Sequence, residues 1–420
     1  MARNFWCIAL GLVLIPVVGS AQTVAETVSD GAAAPPVVMV GGKPFSYGPV
    51  RALQNTGIKI GDAPFNGQTV YTENGQAVDI GELIASSEYT VLTGACLTCG
   101  AFINSFAGIE ALERDYGDKG IQFLYLYRIL SHPERNDYIQ PFTIEERLMH
   151  VAEAKKLLRV KIPFVADNMD NSIRLTWGNI PNPAFILDSE GRVIYMAAWA
   201  DPELVRPELV NLVGPVSKPT TVADLDVKKD YKFNLEPGDV TVPLIATPDT
   251  MYPLKLTPQP SDHPFFAKLR AEVEPQVLEG QPGKLYLGFR MDAMYPVGWN
   301  NLAEPVEVRV DTSAGVTVTP NLVYGPDPNV VKDKSPREFL LDIAPEQDHN
   351  KSFSVTINYY ACDDADIWCI PISQQYLVQL EFNPTGGKVE QRFWKAQRQK
   401  TNPNFNLEEF TSDGVNNAAK

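Results

Sequence analysis

Apolar residues in the first half of the chain fall into short runs that alternate with segments of helical spacing. The runs predict strands at residues 68–71, 77–80, 89–92, 121–127, 162–166, 184–187 and 193–197. Phe102, Phe106 and Ile109 predict a helix that begins just after residue 99. A capping box at 143–146 predicts a second helix, and others are predicted at 169–177 and 203–213. This alternation predicts an α/β layer sandwich over residues 58–214.

The second half of the chain has a different pattern, in which polar and apolar residues alternate. Such segments lie at about 266–277, 284–292, 306–318, 338–344, 353–361 and 375–382, separated by Pro, Gly, Asn and Asp. They predict an all-β sandwich domain over residues 263–385. Prolines and the lack of periodicity predict a linker at 215–262 and a flexible leader at 22–57. Residues 386–420 form a polar tail.

The N-terminal residues have the features of a secretory signal peptide. An apolar stretch at 5–18 is followed by small residues at 19–21, which predicts export and a signal peptide at 1–21. No later run is apolar enough to predict membrane insertion of the mature chain, so we expect a periplasmic or secreted protein. The formal net charge of −15 argues against nucleic acid or an anionic membrane as a partner.

The five cysteines are Cys7, inside the predicted signal peptide, and two local pairs. The pairs are Cys96 with Cys99 and Cys362 with Cys369, and in an exported chain they predict two disulfides. None of the four histidines lies near either pair in the sequence. We therefore expect no metal site and no cofactor.

The first pair, Cys96-Leu97-Thr98-Cys99, is predicted to lie where a strand ends and a helix begins. Unpaired amides and the dipole at a helix N-terminus stabilise a thiolate, which can then attack a disulfide. The second cysteine can attack the mixed disulfide and release the substrate. A purely stabilising disulfide is the alternative, but so short a loop removes little chain entropy. The pattern favours redox chemistry.

This part of the chain resembles the thioredoxin-like superfamily and, within it, the iodothyronine deiodinase-like branch. The resemblance covers about residues 58–214 and is carried by residues 61–64, 94–102, 131–133, 144–147, 165–171 and 191–195. It implies a thioredoxin-like α/β fold. The chain lacks the acidic residues that deiodinases carry before His132, and Pro141 stands in place of their second histidine. Dehalogenation is therefore not expected.

The resemblance also implies roles for single residues. The deiodinase-like branch places its reactive residue at the position of Cys99, whereas thioredoxins use the first cysteine of the motif, here Cys96. We favour Cys96 as the attacking residue and Cys99 as the resolving one. A cis-proline opposite the cysteines is expected at Pro181, in preference to Pro183. His132 is either an ordinary loop residue or an accessory to catalysis.

The second pair lies in a segment that resembles the N-terminal periplasmic domain of the thiol:disulfide interchange protein DsbD, an immunoglobulin-like module. The resemblance covers about residues 265–385, and its specific part runs from 359 to 371. It implies that Cys362 and Cys369 form a redox relay, although a structural disulfide fits the sequence as well. The acidic residues Asp363, Asp364 and Asp366 are predicted to belong to a solvated loop.

Together these features predict an extracytoplasmic thiol-disulfide oxidoreductase. Its expected partners are exported proteins with thiols or disulfides, together with a separate membrane electron donor or small thiols as the source of electrons. Two alternatives are a thiol peroxidase, which would form a sulfenic acid with peroxide, and a binding module with two structural disulfides.

Overall fold

The computed structural model describes residues 39–40, 43–44, 56–178, 180–232, 240–312, 315–346, 351–384 and 386. The chain divides into two units, Met1–Ser46 and Tyr47–Lys420. In the first unit, strands β1 (Met39–Val40) and β2 (Lys43–Pro44) pair antiparallel. The predicted signal peptide, Cys7 and almost all of the predicted leader and tail lie outside the described residues.

The first half of the larger unit is built on one seven-stranded sheet flanked by helices. Its strands are β3 (Thr69–Thr72), β4 (Ala77–Asp79), β5 (Tyr89–Ala95), β6 (Ile121–Tyr127), β7 (Phe164–Asp167), β8 (Ala184–Asp188) and β9 (Val193–Ala197). Its helices are α1 (Ile80–Ile84), α2 (Gly100–Tyr116), α3 (Ile144–Leu158), α4 (Ser172–Thr176) and α5 (Pro202–Val213). Short 3₁₀ turns lie at Gly117–Lys119, Arg135–Asp137 and Val222–Asp224.

The strand order of this sheet is β4-β3-β7-β6-β5-β8-β9. Strands β5, β6 and β7 run parallel in the centre, whereas β8 pairs antiparallel with both β5 and β9. The central strand β6 is buried at six of its seven positions, which explains its nearly continuous apolar sequence. The α/β prediction is confirmed, and the βαβ unit followed by a hairpin and a helix is the order expected of a thioredoxin-like domain.

Two helix starts show how local sequence determines this half. The Thr143 hydroxyl accepts a hydrogen bond from the Glu146 amide at 3.3 Å, as the capping box predicts. The Glu146 carboxylate differs from the prediction, because it accepts the amide of Phe142 and not that of Thr143. Asp79 caps α1, a short helix that the hydrophobic pattern did not predict.

The second half is all-β, with one short helix, α6 (Pro275–Leu278). Its strands are β10 (Tyr252–Pro258), β11 (Ala267–Val273), β12 (Gly283–Met291), β13 (Val297–Asn300), β14 (Glu307–Asp311), β15 (Val316–Thr319), β16 (Leu322–Tyr324), β17 (Lys332–Asp333), β18 (Arg337–Pro345), β19 (Ser352–Asp363) and β20 (Cys369–Phe382). Among the described residues of this half, the strands pair antiparallel.

Strand β10 pairs with β11 at one end and with β20 along most of its length, so it joins two sheets. Inward-facing side chains of both sheets, such as Leu287 and Ile357, share one apolar core. The prediction that this half is built of β-strands is confirmed.

Two predicted boundaries in this half were wrong. The predicted linker at 215–262 contains β10, and Val227 in the same segment is buried in the first core. Prolines at both 253 and 258 made this strand look like irregular chain, since proline cannot donate to a ladder. The predicted strand at 306–318 is two strands, β14 and β15, which pair with β19 and β18 respectively.

The two halves pack against each other directly. Phe142, at the start of α3, contacts the rings of Phe265 and Tyr376, with centroids 5.5 and 6.0 Å away. The buried Lys268 of β11 pairs with Glu146 at 2.8 Å and with Asp292 at 2.6 Å. Within the described part of the chain, no helix is long and apolar enough to span a membrane.

Candidate functional site

The first cysteine pair lies at the junction between β5 and α2, as predicted. Strand β5 ends at Ala95, and Cys99 is the N-cap of α2. The Cys99 amide donates to the carbonyl of Cys96 at 3.1 Å, and the carbonyl of Cys99 accepts the first helical hydrogen bond, from Ile103, at 3.0 Å. The motif is therefore one tight turn that delivers both sulfurs to the helix N-terminus.

Both cysteines of this pair are free thiols, so the prediction of two disulfides holds only at the second pair. Cys96, Leu97 and Thr98 are fully buried, and Cys99 is 2% exposed. A partner protein cannot reach either sulfur unless the residues that cover the motif move.

The sulfur of Cys96 lies among polar groups of the segment that follows β6. The amide of Ser131 donates to Cys96 Sγ at 3.3 Å, and Thr98 Oγ1 lies 3.2 Å from the same sulfur. The amide of His132 donates to Thr98 Oγ1 at 3.2 Å. The structure thus brings the backbone of His132 to the motif.

The groups around Cys99 have opposing effects on the pKa of its thiol. Burial and the neighbouring Cys96 raise the pKa of the Cys99 thiol above its usual value. The positive charge of Arg128 and the amides of Phe102 and Ala101 at the helix N-terminus act in the opposite direction. Because desolvation is the largest effect, Cys99 is held in its protonated form at neutral pH.

The loop that carries Pro181 lies against the strand that leads to the cysteines. The Gly94 amide donates to the carbonyl of Pro183 at 3.1 Å, and the Asn182 side chain donates to the carbonyl of Gly94 at 2.6 Å. The Arg128 side chain donates to the carbonyl of Pro181 at 2.9 Å. The loop therefore lies beside the end of β5, two residues before Cys96.

The prediction of a cis-proline at this loop was wrong. Among the described residues the cis peptide bond precedes Pro320, and the bonds before Pro181 and Pro183 are trans. The hydrogen bonds of Gly94, Asn182 and Arg128 fix the loop without a cis bond. No sequence pattern distinguishes the two isomers of a bond before proline.

Arg147 and Arg174 are buried arginines in this half of the molecule, and the sequence did not reveal their contacts. Arg147 donates to the carbonyls of Asp167 and Asn168 and to the Asn171 side chain, so α3 is joined to the segment 167–171. Burial lowers the pKa of Arg147 and Arg174 to about 10. Two of the segments that carry the deiodinase-like resemblance therefore meet at Arg147.

His150 is a further buried group in this region. Its ring lies between Tyr127 and Tyr138, with centroids 6.1 and 5.8 Å away, and neither ring nitrogen has a hydrogen-bond partner. Burial, aided by Lys268 and Arg147, lowers its pKa to about 3. Among the described residues, no cluster of three or more His, Cys, Asp or Glu side chains could hold a metal ion.

The second pair forms a disulfide between β19 and β20, where Cys362 and Cys369 face each other in register. Cys362 is buried and Cys369 is exposed. The loop between them carries Ile367, which is 81% exposed. An attacking thiol can therefore approach this disulfide from the Cys369 side.

The prediction of a solvated acidic loop was wrong for Asp363. This residue is buried, and its carboxylate accepts the amides of Trp368, Ile367 and Ala365, the first at 2.8 Å. These hydrogen bonds, led by that of Trp368, lower the pKa of Asp363. Asp364 and Asp366 are exposed and pair with Lys334 and Lys332.

Comparisons with known proteins complete the description of the site. No family model and no curated protein matches the chain. One solved structure with similarity to this chain is a putative thiol:disulfide interchange protein DsbE from Chlorobium tepidum. The two sequences are 16% identical, the match covers 37% of this chain and 99% of that one, and the TM-score is 0.30. A thiol:disulfide interchange protein from Bacteroides sp. has 11% identity, 38% and 94% coverage and a TM-score of 0.29. Peroxidoxin BcpB from Mycobacterium tuberculosis has 12% identity, 37% and 96% coverage and a TM-score of 0.28.

Proposed function

We propose that the protein is a thiol-disulfide oxidoreductase whose reaction takes place at Cys96 and Cys99. The observation that carries the proposal is the position of two free thiols, three residues apart, in the turn that begins α2. A cysteine pair three residues apart in one turn can alternate between dithiol and disulfide. The helix amides that face Cys99 favour negative charge on sulfur during the exchange.

The proposed reaction moves two electrons from the cysteine pair to a partner disulfide. The Cys96 thiolate attacks one partner sulfur, a mixed disulfide forms, and the other partner sulfur leaves as a thiolate. Cys99 then loses its proton and attacks Cys96 Sγ, which forms the Cys96–Cys99 disulfide and releases the reduced partner. The raised pKa of Cys99 suits this resolving role, because the residue stays protonated until the mixed disulfide has formed.

The partners in this proposal are exported proteins, and the location is periplasmic or extracellular. The predicted signal peptide supports the location. A reduced small thiol or a membrane electron donor restores the dithiol after each cycle. Run in reverse, the same steps oxidise a partner dithiol.

The Cys362–Cys369 disulfide is proposed as a second exchange site that relays electrons to or from exported partners. Its exposed half, Cys369, supports this role because exchange requires in-line access to a sulfur. Hydrogen bonds from the loop to Asp363 hold the strand ends in place, so the pair can close again after reduction.

Single substitutions of the first pair test the proposal. In the Cys99→Ser variant, Cys96 should form a stable mixed disulfide with a peptide disulfide, because no resolving thiol is present. The Cys96→Ser variant should form far less, and the Cys96→Ser/Cys99→Ser double variant is the matched control. Trapped adducts are counted by mass spectrometry after acid quenching.

Two outcomes contradict the proposal. The first is no adduct in either single variant at a peptide concentration that saturates a reference thioredoxin. The second is a sulfenic acid on Cys96 that forms with peroxide faster than disulfide exchange occurs, which would identify a thiol peroxidase.

A further inference from the structure

The segment after β6 covers the cysteine motif, and we call residues 131–138 the covering loop. Three of its residues bind the motif. Ser131 donates its amide to Cys96 Sγ, His132 donates its amide to Thr98 Oγ1, and the Arg135 side chain donates to the carbonyl of Thr98 at 3.1 Å. Because Cys96 and Thr98 are fully buried, a partner can reach Cys96 only when this loop moves.

The covering loop has a backbone that does not form readily by itself. Glu134, Asn136 and Asp137 have φ angles of 72°, 53° and 60°, and none of them is glycine. The left-handed region is unfavourable for most residues with a Cβ, but Asn and Asp tolerate it, so the conformational cost falls chiefly on Glu134. A loop of this kind needs restraints from its surroundings to keep its shape.

One such restraint is an ion pair with the sandwich half of the molecule. Glu134 Oε2 lies 2.9 Å from Arg290 Nε of β12, and Glu134 Oε1 lies 3.9 Å from Arg270 Nε of β11. The side chains of Glu134 and Arg290 are 3% and 5% exposed. Arg290 is held in turn by Glu338 of β18, at 3.4 Å. The carboxylate of the covering loop is thus fixed to the face of a rigid sheet.

We infer that Glu134 and Arg290 are positioning residues for the exchange reaction, because their ion pair lets the sandwich half hold the covering loop closed over Cys96. The inference rests on the proposed function of the cysteine pair. Removal of one partner of a buried ion pair leaves an uncompensated charge, so the closed loop loses stability relative to an open one. The sandwich half therefore controls how often a partner can reach Cys96.

A second buried ion pair between the halves provides a matched control. Lys268 of β11 pairs with Glu146 in the first turn of α3. It is as buried as Arg290 and lies on the neighbouring strand, but the pair does not involve the covering loop. Lys268→Met should loosen the contact between the halves without releasing the loop.

The experiment measures access to the thiols in the full-length protein. Wild type, Arg290→Met, Glu134→Gln and Lys268→Met are treated with iodoacetamide under native conditions, and the rate of modification of Cys96 is followed by peptide mass spectrometry. We expect Arg290→Met and Glu134→Gln to raise this rate at least about tenfold, since the reagent reacts with the open form. Lys268→Met should change it less than about threefold.

Folding is checked separately, because each variant removes a buried charge. Near-ultraviolet circular dichroism identifies variants that retain the native fold. Arg290→Lys keeps a cation beside Glu134 and should return the rate toward that of wild type. If Arg290→Met does not fold, hydrogen exchange of the Ser131 and His132 amides is compared between wild type and Glu134→Gln. Faster exchange at these two amides, with the β5 amides unchanged, is the expected result.

Two results would overturn the inference. One is a wild-type modification rate in folded Arg290→Met and Glu134→Gln. The other is an equal increase in Lys268→Met, which would show a general loosening of the interface. Iodoacetamide reports access and not exchange, so a failure of the trapping experiment with peptide disulfides would leave this result unchanged.

Discussion

The two cysteine pairs differ in almost every physical property although their sequence separations are similarly short. Cys96 and Cys99 are buried thiols in a turn between a strand and a helix, surrounded by arginines and covered by a loop. Cys362 and Cys369 are joined across two antiparallel strands, with Cys369 exposed. The first pair lies beside helix amides but is shielded from partner proteins. The second pair is open to solvent at Cys369, and the loop between its cysteines is held by hydrogen bonds.

In the proposed account, the protonation of the thiols and the access of a partner to them are controlled by different parts of the molecule. At the first pair, desolvation raises the pKa of Cys99 while helix amides and Arg128 oppose that rise, so the chemistry is set inside the domain. Access is set by the covering loop, which is anchored in the other half through Glu134 and Arg290. In this account the second half restrains the loop that covers the thiols of the first half, which is a structural reason for both halves to belong to one chain.

The largest expected effect separates the two pairs by activity. Cys96→Ser should reduce the catalysed reduction of a peptide disulfide to the uncatalysed level, because it removes the attacking sulfur. The Cys362→Ala/Cys369→Ala variant should retain exchange at the first pair with small disulfides, as followed by thiol release. Equal loss in both variants would contradict the assignment of the primary site to Cys96 and Cys99.

Acid should destabilise the first region through His150. Its folded pKa of about 3 lies below the ordinary value of 6.5, so below pH 6.5 the unfolded state binds a proton that the folded state does not. This residue should lower the free energy of unfolding by up to about 1.4 kcal/mol for each pH unit between pH 6.5 and 3. Urea unfolding of wild type and His150→Phe at pH 7 and pH 4.5 measures the effect.

The control for this prediction is His263→Ala, which changes an exposed histidine at the edge of the sandwich. The pH dependence of its stability is the baseline with which that of His150→Phe is compared. An identical pH dependence in wild type and His150→Phe would show that His150 does not stay neutral in the folded state.

Removal of the second pair should also lower the stability of the protein. The Cys362→Ala/Cys369→Ala variant should lose about 2 kcal/mol of unfolding free energy, since the disulfide closes a short loop. Chemical denaturation under non-reducing conditions measures the loss. Cys96→Ala/Cys99→Ala should lack this contribution because no disulfide joins that pair in the structure. A loss below about 0.5 kcal/mol would show that the disulfide does not stabilise the sandwich.

The smallest expected effect concerns the rigidity of the second loop. Lys332 Nζ donates to the carbonyl of Asp363 at 2.8 Å and pairs with Asp366. Lys332→Met should therefore speed reduction of Cys362–Cys369 by dithiothreitol by about two- to fivefold, because half-exposed pairs contribute up to about 1 kcal/mol. Lys334, whose side chain is more exposed than that of Lys332, pairs with Asp364 and offers the control Lys334→Met, for which a smaller change is expected.

Parts of the fold could be predicted because the deciding forces are local. Strand β6 has the predicted bounds, since a central strand is buried on both faces and its sequence is nearly all apolar. Helix α3 begins where the Thr143 cap predicts it. The position of Cys96 and Cys99 followed from the strand before them and the helical spacing after them.

Other features could not be predicted because they depend on residues distant in the sequence. Strand β10 has weak local preference and forms because β20 and β11 supply partners for its backbone. Nothing in the sequence around Glu134 distinguishes it from an exposed acidic residue. Its partner Arg290 is distant in the sequence and lies beside it only in the folded molecule. Arg128 follows a strand without any motif, yet it contacts the Pro181 loop.

The reduction potential of the Cys96–Cys99 pair in the full-length protein tests the central claim most directly. The protein is equilibrated in glutathione and dithiothreitol buffers, quenched with an alkylating reagent and analysed by peptide mass spectrometry. We predict one reversible two-electron transition between about −120 and −300 mV, the range of exchange proteins, with both cysteines changing together. Thiols that stay reduced in every oxidised glutathione buffer, or that titrate independently of each other, would contradict the account.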